Sequence, residues 1–374
     1  MLHLPKLPWQ QLENWGISLQ VFRTALAAGI SWALAASLIG AVKPYFAPLA
    51  AILSVQATVA ESVSRGAQRI LGVLGGILLA MLFTRWIGLS AWSLALLVFI
   101  AMVLATRLHL GVQGVPQVAI SALMVMAVGS GVRGYAWYRA LDTALGGAVA
   151  VAVSALVWPP DLTPEAAESL RLLALGLAQI LEAMQHDLVE GLELEEANRH
   201  LQKARAIQEG LDSARRGLKR AETSLRWNPW HRHAKGRSVK LSQALDVLDH
   251  SLMQVRGIAR TLFVTLDRDI SEKGTALPEP LAEGMGEVLA LMGEALKSYA
   301  YLIYVGEQTA AMRLETILAE SVDVRRRVLH DAVRRLASNG PRFLDIASVL
   351  VDIEKMSQDL MVSSRLIVPV AVVR

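Results

Sequence analysis

Between Gln20 and Trp158 the chain carries only ten charged residues, and this scarcity constrains its fold more than any other feature. They are Arg23, Lys43, Glu61, Arg65, Arg69, Arg85, Arg107, Arg133, Arg139 and Asp142. A helix needs about 20 apolar residues to cross the hydrocarbon core of a bilayer. Six stretches approach that length: Val21–Ala41, Tyr45–Ala60, Ile70–Trp86, Ala91–Arg107, Val115–Ser130 and Tyr138–Trp158. The second and fifth are the shorter ones, with proline near the start: Pro44 and Pro48, then Pro116. The expectation is an all-α chain. Residues 20–160 form a six-helix transmembrane transport domain, preceded by an interfacial segment, 1–19, and followed by a soluble cytoplasmic helical bundle, 161–374.

One pattern recurs within the apolar part. Arg69-Ile-Leu-Gly72-Val-Leu-Gly-Gly76 and Arg139-Ala-Leu-Asp142-Thr-Ala-Leu-Gly146 lie seventy positions apart, each running on into apolar residues. The same shift places the second stretch on the fifth, the third on the sixth and the first beside the fourth. Three helices per unit is an odd number, so the expected architecture is a 3+3 inverted repeat, as in many transporters. A charged side chain within a bilayer costs at least a few kcal/mol and usually has a functional partner. The plainer alternative is snorkelling of both arginines at helix ends beside small-residue packing faces. Gly72, Gly75, Gly76, Gly146 and Gly147 fit close helix packing, and could also open room for a substrate.

Eight of the ten charges are positive, a net of +6 against +4 for the whole chain, so the remainder carries −2. The basic character therefore belongs to the apolar half and argues against a nucleic-acid surface. No cysteine is present, which excludes disulfides, thiolate metal sites and cysteine nucleophiles. Met1–Leu19 lacks the basic-then-apolar build of a cleavable signal. With the N-terminus inside, the inner loops hold Lys6, Arg23, Arg65, Arg69 and Arg107, and the outer ones Lys43, Arg85, Arg133 and Arg139. That weak bias, and the large C-terminal region, favour a multi-pass protein of the cytoplasmic membrane with both termini cytoplasmic.

After Trp158-Pro159-Pro160, the run Asp161-Leu-Thr163-Pro164-Glu165 reads as a helix start with Thr163 as N-cap. Stripes such as Leu170, Leu173, Leu177 and Ile180, then Leu194, Ala197, Leu201, Ala204 and Leu211, predict about six helices in a bundle. Breaks are expected near Gly191, Asn228-Pro229, Gly274–Pro280, Gly306 and Gly340-Pro341. The tail from Val368 is apolar but too short to span. Arg215-Arg216, Arg325-Arg326-Arg327 and Arg334-Arg335 lie among acids and read as solvated faces. Trp230-His231-Arg-His233 offers two histidines without a third ligand, a poor metal site. No phosphate-binding Gly-x-x-x-x-Gly-Lys-Ser/Thr loop or hydrolase motif occurs, so neither a cofactor nor an enzymatic activity is expected.

The segment Pro44-Tyr45-Phe46-Ala-Pro-Leu-Ala-Ala-Ile-Leu-Ser-Val-Gln56-Ala-Thr58, then Glu61-Ser-Val-Ser-Arg65-Gly-Ala-Gln-Arg69-Ile-Leu-Gly72, resembles the fusaric acid resistance family. This is the aromatic acid exporter superfamily, to which plant aluminium-activated malate channels are also similar. Ala57 stands where that family usually has proline, and Val73 where it usually has threonine. Ser224-Leu-Arg226-Trp-Asn228-Pro229 is similar as well. The resemblance implies efflux of organic anions, notably aromatic carboxylates, by a six-helix unit with a helical cytoplasmic domain. It also implies a homodimer with a basic pore.

Independently of family, guanidinium suits a carboxylate crossing a bilayer, being always charged and matched to it in shape. The candidate substrate-binding residues are Arg69, Arg139, Gln56, Thr58 and Asp142, with Gln56 and Thr58 as neutral donors. Asp142 is the only acid between Arg69 and Trp158. It could pair with Arg139 at i+3, or carry protons that couple efflux to proton entry. The expected partners are small organic anions, the lipid bilayer and a second copy of the chain. Three functions stay open: an exporter of organic anions, a passive anion channel, and a membrane-anchored scaffold that transports nothing. The basic charge inside the repeat argues against the scaffold.

Overall fold

The computed structural model describes residues 18–39, 44–56, 58–84, 90–129, 134–157, 161–226, 232–271, 278–336 and 340–367. The expected interfacial segment up to Ile17, Lys43, Ala57, Arg85, Arg133, Trp158–Pro160, Asn228–His231 and the tail from Val368 lie outside these residues. So does the side chain of His233. Among the described residues there are twelve helices, all of them α, and no strand. The chain divides into two compact units, residues 1–160 with 226–230, and residues 161–225 with 231–374.

The first unit holds α1 (Leu19–Leu38), α2 (Phe46–Ser54), α3 (Val59–Thr84), α4 (Ala91–Arg107), α5 (Gly111–Val128) and α6 (Tyr135–Leu156). Of these, α1, α3, α5 and α6 are long and apolar enough to cross a membrane, and α4 is a shorter apolar helix of 17 residues. Two expectations change. The stretch Tyr45–Ala60 is a nine-residue helix, too short to span by itself, because the backbone turns extended at Val55. And α3 begins at Val59, not near Ile70. Arg65 and Arg69, assigned above to an inner loop, are therefore helical.

The packing of this unit reverses the usual order of sizes. Its buried positions are mostly small: Ala27, Ala50, Ala80, Ala101, Ala122 and Ala150, with Ser31, Ser54, Ser62, Ser121 and Ser154. Its exposed positions are large and apolar, among them Phe22, Leu53, Leu74, Leu78, Phe99 and Met102. A surface of that kind is stable against hydrocarbon, and small residues inside let helix backbones meet. Close approaches occur at glycines. A Cβ on Gly76 would stand 2.4 Å from the carbonyl oxygen of Val118 on α5. One on Gly146 would stand 2.1 Å from that of Ala47 on α2. Thus α3 packs on α5, and α6 on α2; α1 meets α2 and α6, as α4 meets α5 and α3; and α3 crosses α6.

The second unit holds α7 (Thr163–Glu190), α8 (Leu194–Arg226), α9 (Arg232–Ser271), α10 (Glu279–Val305), α11 (Gln308–Leu336) and α12 (Gly340–Ile367). Here large residues are inside: Leu170, Leu177, Leu181, Leu248, Leu289 and Leu296 are all fully buried. The helix α10 is apolar enough to span a membrane by composition, yet α7, α11 and α12 cover it. Its hydropathy belongs to a central bundle helix. Thr163 is the first residue of α7 and not its cap; Asp161 Oδ1 accepts from the Thr163 N–H at 2.9 Å. Gly191 and Gly306 end α7 and α10 in left-handed conformation. Arg325 is buried in an ion pair with Glu354 of α12, whereas Arg326 and Arg327 are exposed. The solvated-face reading fails at Arg325 because α12 packs over that face of α11.

The glycine contacts carry a testable consequence. Gly76→Ala and Gly146→Ala are each expected to cost about 1–3 kcal/mol by forcing packed backbones apart. Gly29→Ala, with nothing within 4 Å of its added Cβ, is expected to be neutral or better. Thermal unfolding of the purified protein by tryptophan fluorescence compares the three; equal stability would remove the close-packing account.

Candidate functional site

The inner face of α3 is read off by helical spacing: Ser62, Gly66, Arg69, Val73 and Gly76 are all buried. Thr58 starts the helix, its Oγ1 accepting from the Glu61 N–H at 3.2 Å, with Glu61 in the first turn. On α6, Arg139, Asp142, Thr143, Gly146 and Gly147 face inward, and on α5 Gly114, Gln117, Val118 and Ser121 do. The seam between α3 and α6 is bridged by a 2.9 Å hydrogen bond between the Ser62 and Ser154 hydroxyls.

Arg139 is 2% exposed and Arg69 6%. Snorkelling to an interface would leave the heads in water, so it does not describe either residue. Arg139 Nη2 donates to Ser121 Oγ at 3.1 Å, and Gln117 Nε2 donates to the same oxygen at 3.2 Å. The guanidinium lies over the Phe46 ring, 4.2 Å from its centroid, and Tyr135 meets Phe46 edge-on. This holds one face and one nitrogen of the fork, and the Tyr135 side chain lies within reach of the same guanidinium. Nε and Nη1 of Arg139, and Nε of Arg69, are buried without a hydrogen-bond partner among the described residues. The two arginines lie on the inward faces of α3 and α6, helices that pack on one another. A buried guanidinium without a counter-charge is costly, and a second one nearby adds to the cost. An anion bound between them would relieve both.

The other sequence candidates fall elsewhere. Asp142 is 3% exposed, and its Oδ1 has no hydrogen-bond partner among the described residues. The structure does not pair it with Arg139. Gln56 is tied into the corner between α2 and α3: its N–H donates to Ser62 Oγ at 2.9 Å and its Nε2 to the Val55 carbonyl. Thr58 caps α3 at the same corner. Eleven residues of helix separate Thr58 from Arg69, about 16 Å along the axis. Sequence reasoning missed Phe46, Gln117 and Ser121. A signal existed for the last two: Gln113, Gln117 and Ser121 recur every four residues on an otherwise apolar helix, marking one polar face.

Residues 27–153 match the family described as fusaric acid resistance protein-like. Proteins of Mycobacterium bovis and Mycobacterium tuberculosis named "Putative arylamide transporter" are 30% identical to this chain over 146 residues. That match covers 38% of this chain and spans only 41% of the length of those relatives. An uncharacterized protein of Corynebacterium glutamicum is 26% identical over 268 residues, covering 70% of this chain and 68% of its own.

The capping geometry gives Thr58 a role that stability can test. Thr58→Ala is expected to cost about 1 kcal/mol and Thr58→Ser much less, since serine caps equally well. Thermal unfolding of both variants measures this; an unchanged melting temperature for Thr58→Ala would return Thr58 to the list of free donors.

Proposed function

We propose, from a segment 27–153 that is fusaric acid resistance protein-like, that this protein is a membrane transporter exporting small organic anions along a path lined by Arg69 and Arg139. Aromatic carboxylates are the favoured cargo. The observation that carries the reading is the pair of buried guanidiniums without a counter-ion among the described residues, one of them resting on an aromatic ring. Guanidinium and carboxylate match in charge and geometry, and the Phe46–Tyr135 pair offers a flat apolar neighbour to an aryl group. The inside-out packing of the first unit and its four long apolar helices support a multi-pass membrane protein.

The 3+3 inverted repeat belongs to the same reading. The contacts pair off under the repeat: α1 on α2 answers α4 on α5, and α3 on α5 answers α6 on α2. Gly76 and Gly146, seventy positions apart, make the corresponding close approaches. Such an axis would bring the matched arginines together near the middle of the unit. A homodimer is part of the proposal, supported by an open groove between α3 and α6 lined by small residues such as Gly66, Ala67, Gly147 and Ala148.

Proteoliposome flux of a benzoate-type anion tests the path. Arg69→Gln and Arg139→Gln are each expected to lower flux at least about tenfold, the loss of one charge-assisted contact, with folding retained. Lysine at either position restores the charge but only part of the flux, since the fork is lost. Wild-type flux in both Gln variants would refute the site. A matching benzamide, run alongside because the mycobacterial relatives carry an arylamide name, is expected to move poorly. The alternative of a passive channel separates at Asp142. In a proton-coupled exporter, Asp142→Asn abolishes uphill transport and spares downhill exchange; in a channel no uphill transport exists to lose.

Orientation is tested by single cysteines, which the cysteine-free chain makes clean. Ala91→Cys is expected to label from outside and Lys235→Cys from the cytoplasm. Labelling of both from the same side would overturn the proposed topology.

A further inference from the structure

We infer that the second unit holds a binding site for an amphipathic organic cation, in a cavity separate from the proposed transport path. The end of α7, the C-terminal half of α9 and the starts of α10 and α12 surround a cavity of about 500 Å³. That volume is in the range of pockets for small organic ligands. Its walls are apolar: Leu188, Leu262, Leu266, Met285, Ile346 and Val349. An aryl or alkyl body placed there would leave water for hydrocarbon contacts.

The charges around it choose the head group. Glu279 and Glu283 line the cavity, are exposed, and form no hydrogen bond or ion pair among the described residues. Among the described residues Glu190 has only the exposed His186, at 3.5 Å. The remaining charged liners are already satisfied. Asp345 accepts from Thr265 Oγ1 at 2.9 Å and from Arg268 Nη1 at 2.8 Å. Arg342 is buried and engaged within the protein. Among the described residues the unbalanced charge is therefore negative and sits beside an apolar floor. A carboxylate would meet Glu279 and Glu283 in repulsion; a protonated amine on an apolar body would meet them in attraction.

The test is isothermal titration calorimetry on the full chain in lipid nanodiscs, with protein-free nanodiscs as baseline. The probes are naphthylmethylamine, its neutral isostere naphthylmethanol, and naphthoate. The amine is expected to bind saturably below about 1 mM and about fivefold more tightly than the alcohol, the scale of two solvent-exposed charge contacts. Glu279→Gln with Glu283→Gln, both on the surface, is expected to remove that fivefold advantage and leave alcohol binding unchanged. Ala282→Trp, which fills the cavity, is expected to abolish binding of both. Equal affinity for amine and alcohol, no saturable amine signal, or an unchanged amine affinity in the double Gln variant would each overturn the proposal. Naphthoate binding is read separately in Arg139→Gln, so failure of the transport reading and failure of this one are distinguishable.

Discussion

The first unit depends on how closely its helices can approach. In hydrocarbon, helices gain no hydrophobic benefit from one another, so their association rests on van der Waals contact and interhelical hydrogen bonds. Gly76 and Gly146 let α3 and α6 lie backbone to backbone against α5 and α2. That closeness decides what the side chains between them can do. Gln117 lies against Gly72, where a Cβ would stand 2.8 Å away, and this places its amide beside Ser121 and Arg139. A bulkier residue at either glycine would separate the helices and take the polar network with it.

The two units solve the burial of charge in opposite ways. In the second, large aliphatic residues fill the core, and most arginines sit outside or against an acid, as Arg325 does with Glu354 and Arg268 with Asp345. Tyr299, fully buried, shares a 2.6 Å hydroxyl–hydroxyl bond with Ser363, and burial pushes the phenol above its ordinary range. In the first unit, Arg23 caps the end of α6 through the Val157 carbonyl at 2.7 Å, while Arg69 and Arg139 keep nitrogens with nothing to bond among the described residues. Arg23 thus closes a helix end, a partner that neither Arg69 nor Arg139 has among the described residues.

Much of this was legible in the sequence. Apolar length located the helices of the first unit, and alternating stripes located those of the second, because both rest on local periodicity. The start of α3 was misplaced because hydropathy stops at charge, whereas a helix continues through any residue its neighbours accept. The pattern Thr58-x-x-Glu61 did mark the true start, as a capping sequence. The shortness of α2 had no such signal, since nothing in Ser54-Val55-Gln56 breaks a helix by composition. The Arg139 environment lay further out of reach. Phe46, Ser121 and Arg139 come from three helices, and only the packing joins them. Asp142 shows the converse: spacing suggested a pair with Arg139 that the side chains do not make.

Within the described helices of the first unit every cation is an arginine: Arg23, Arg65, Arg69, Arg107 and Arg139. Guanidinium does not discharge in any physiological setting. The three that are buried, Arg23, Arg69 and Arg139, therefore resemble the fixed sites of a strong-base ion-exchange resin, which are never neutral. An occupant of such a site departs by substitution, not by simple release. On the proposed anion path, chloride or another mobile anion would take the place of each departing cargo molecule, and the ionic composition of the receiving side would govern how fast the site is cleared.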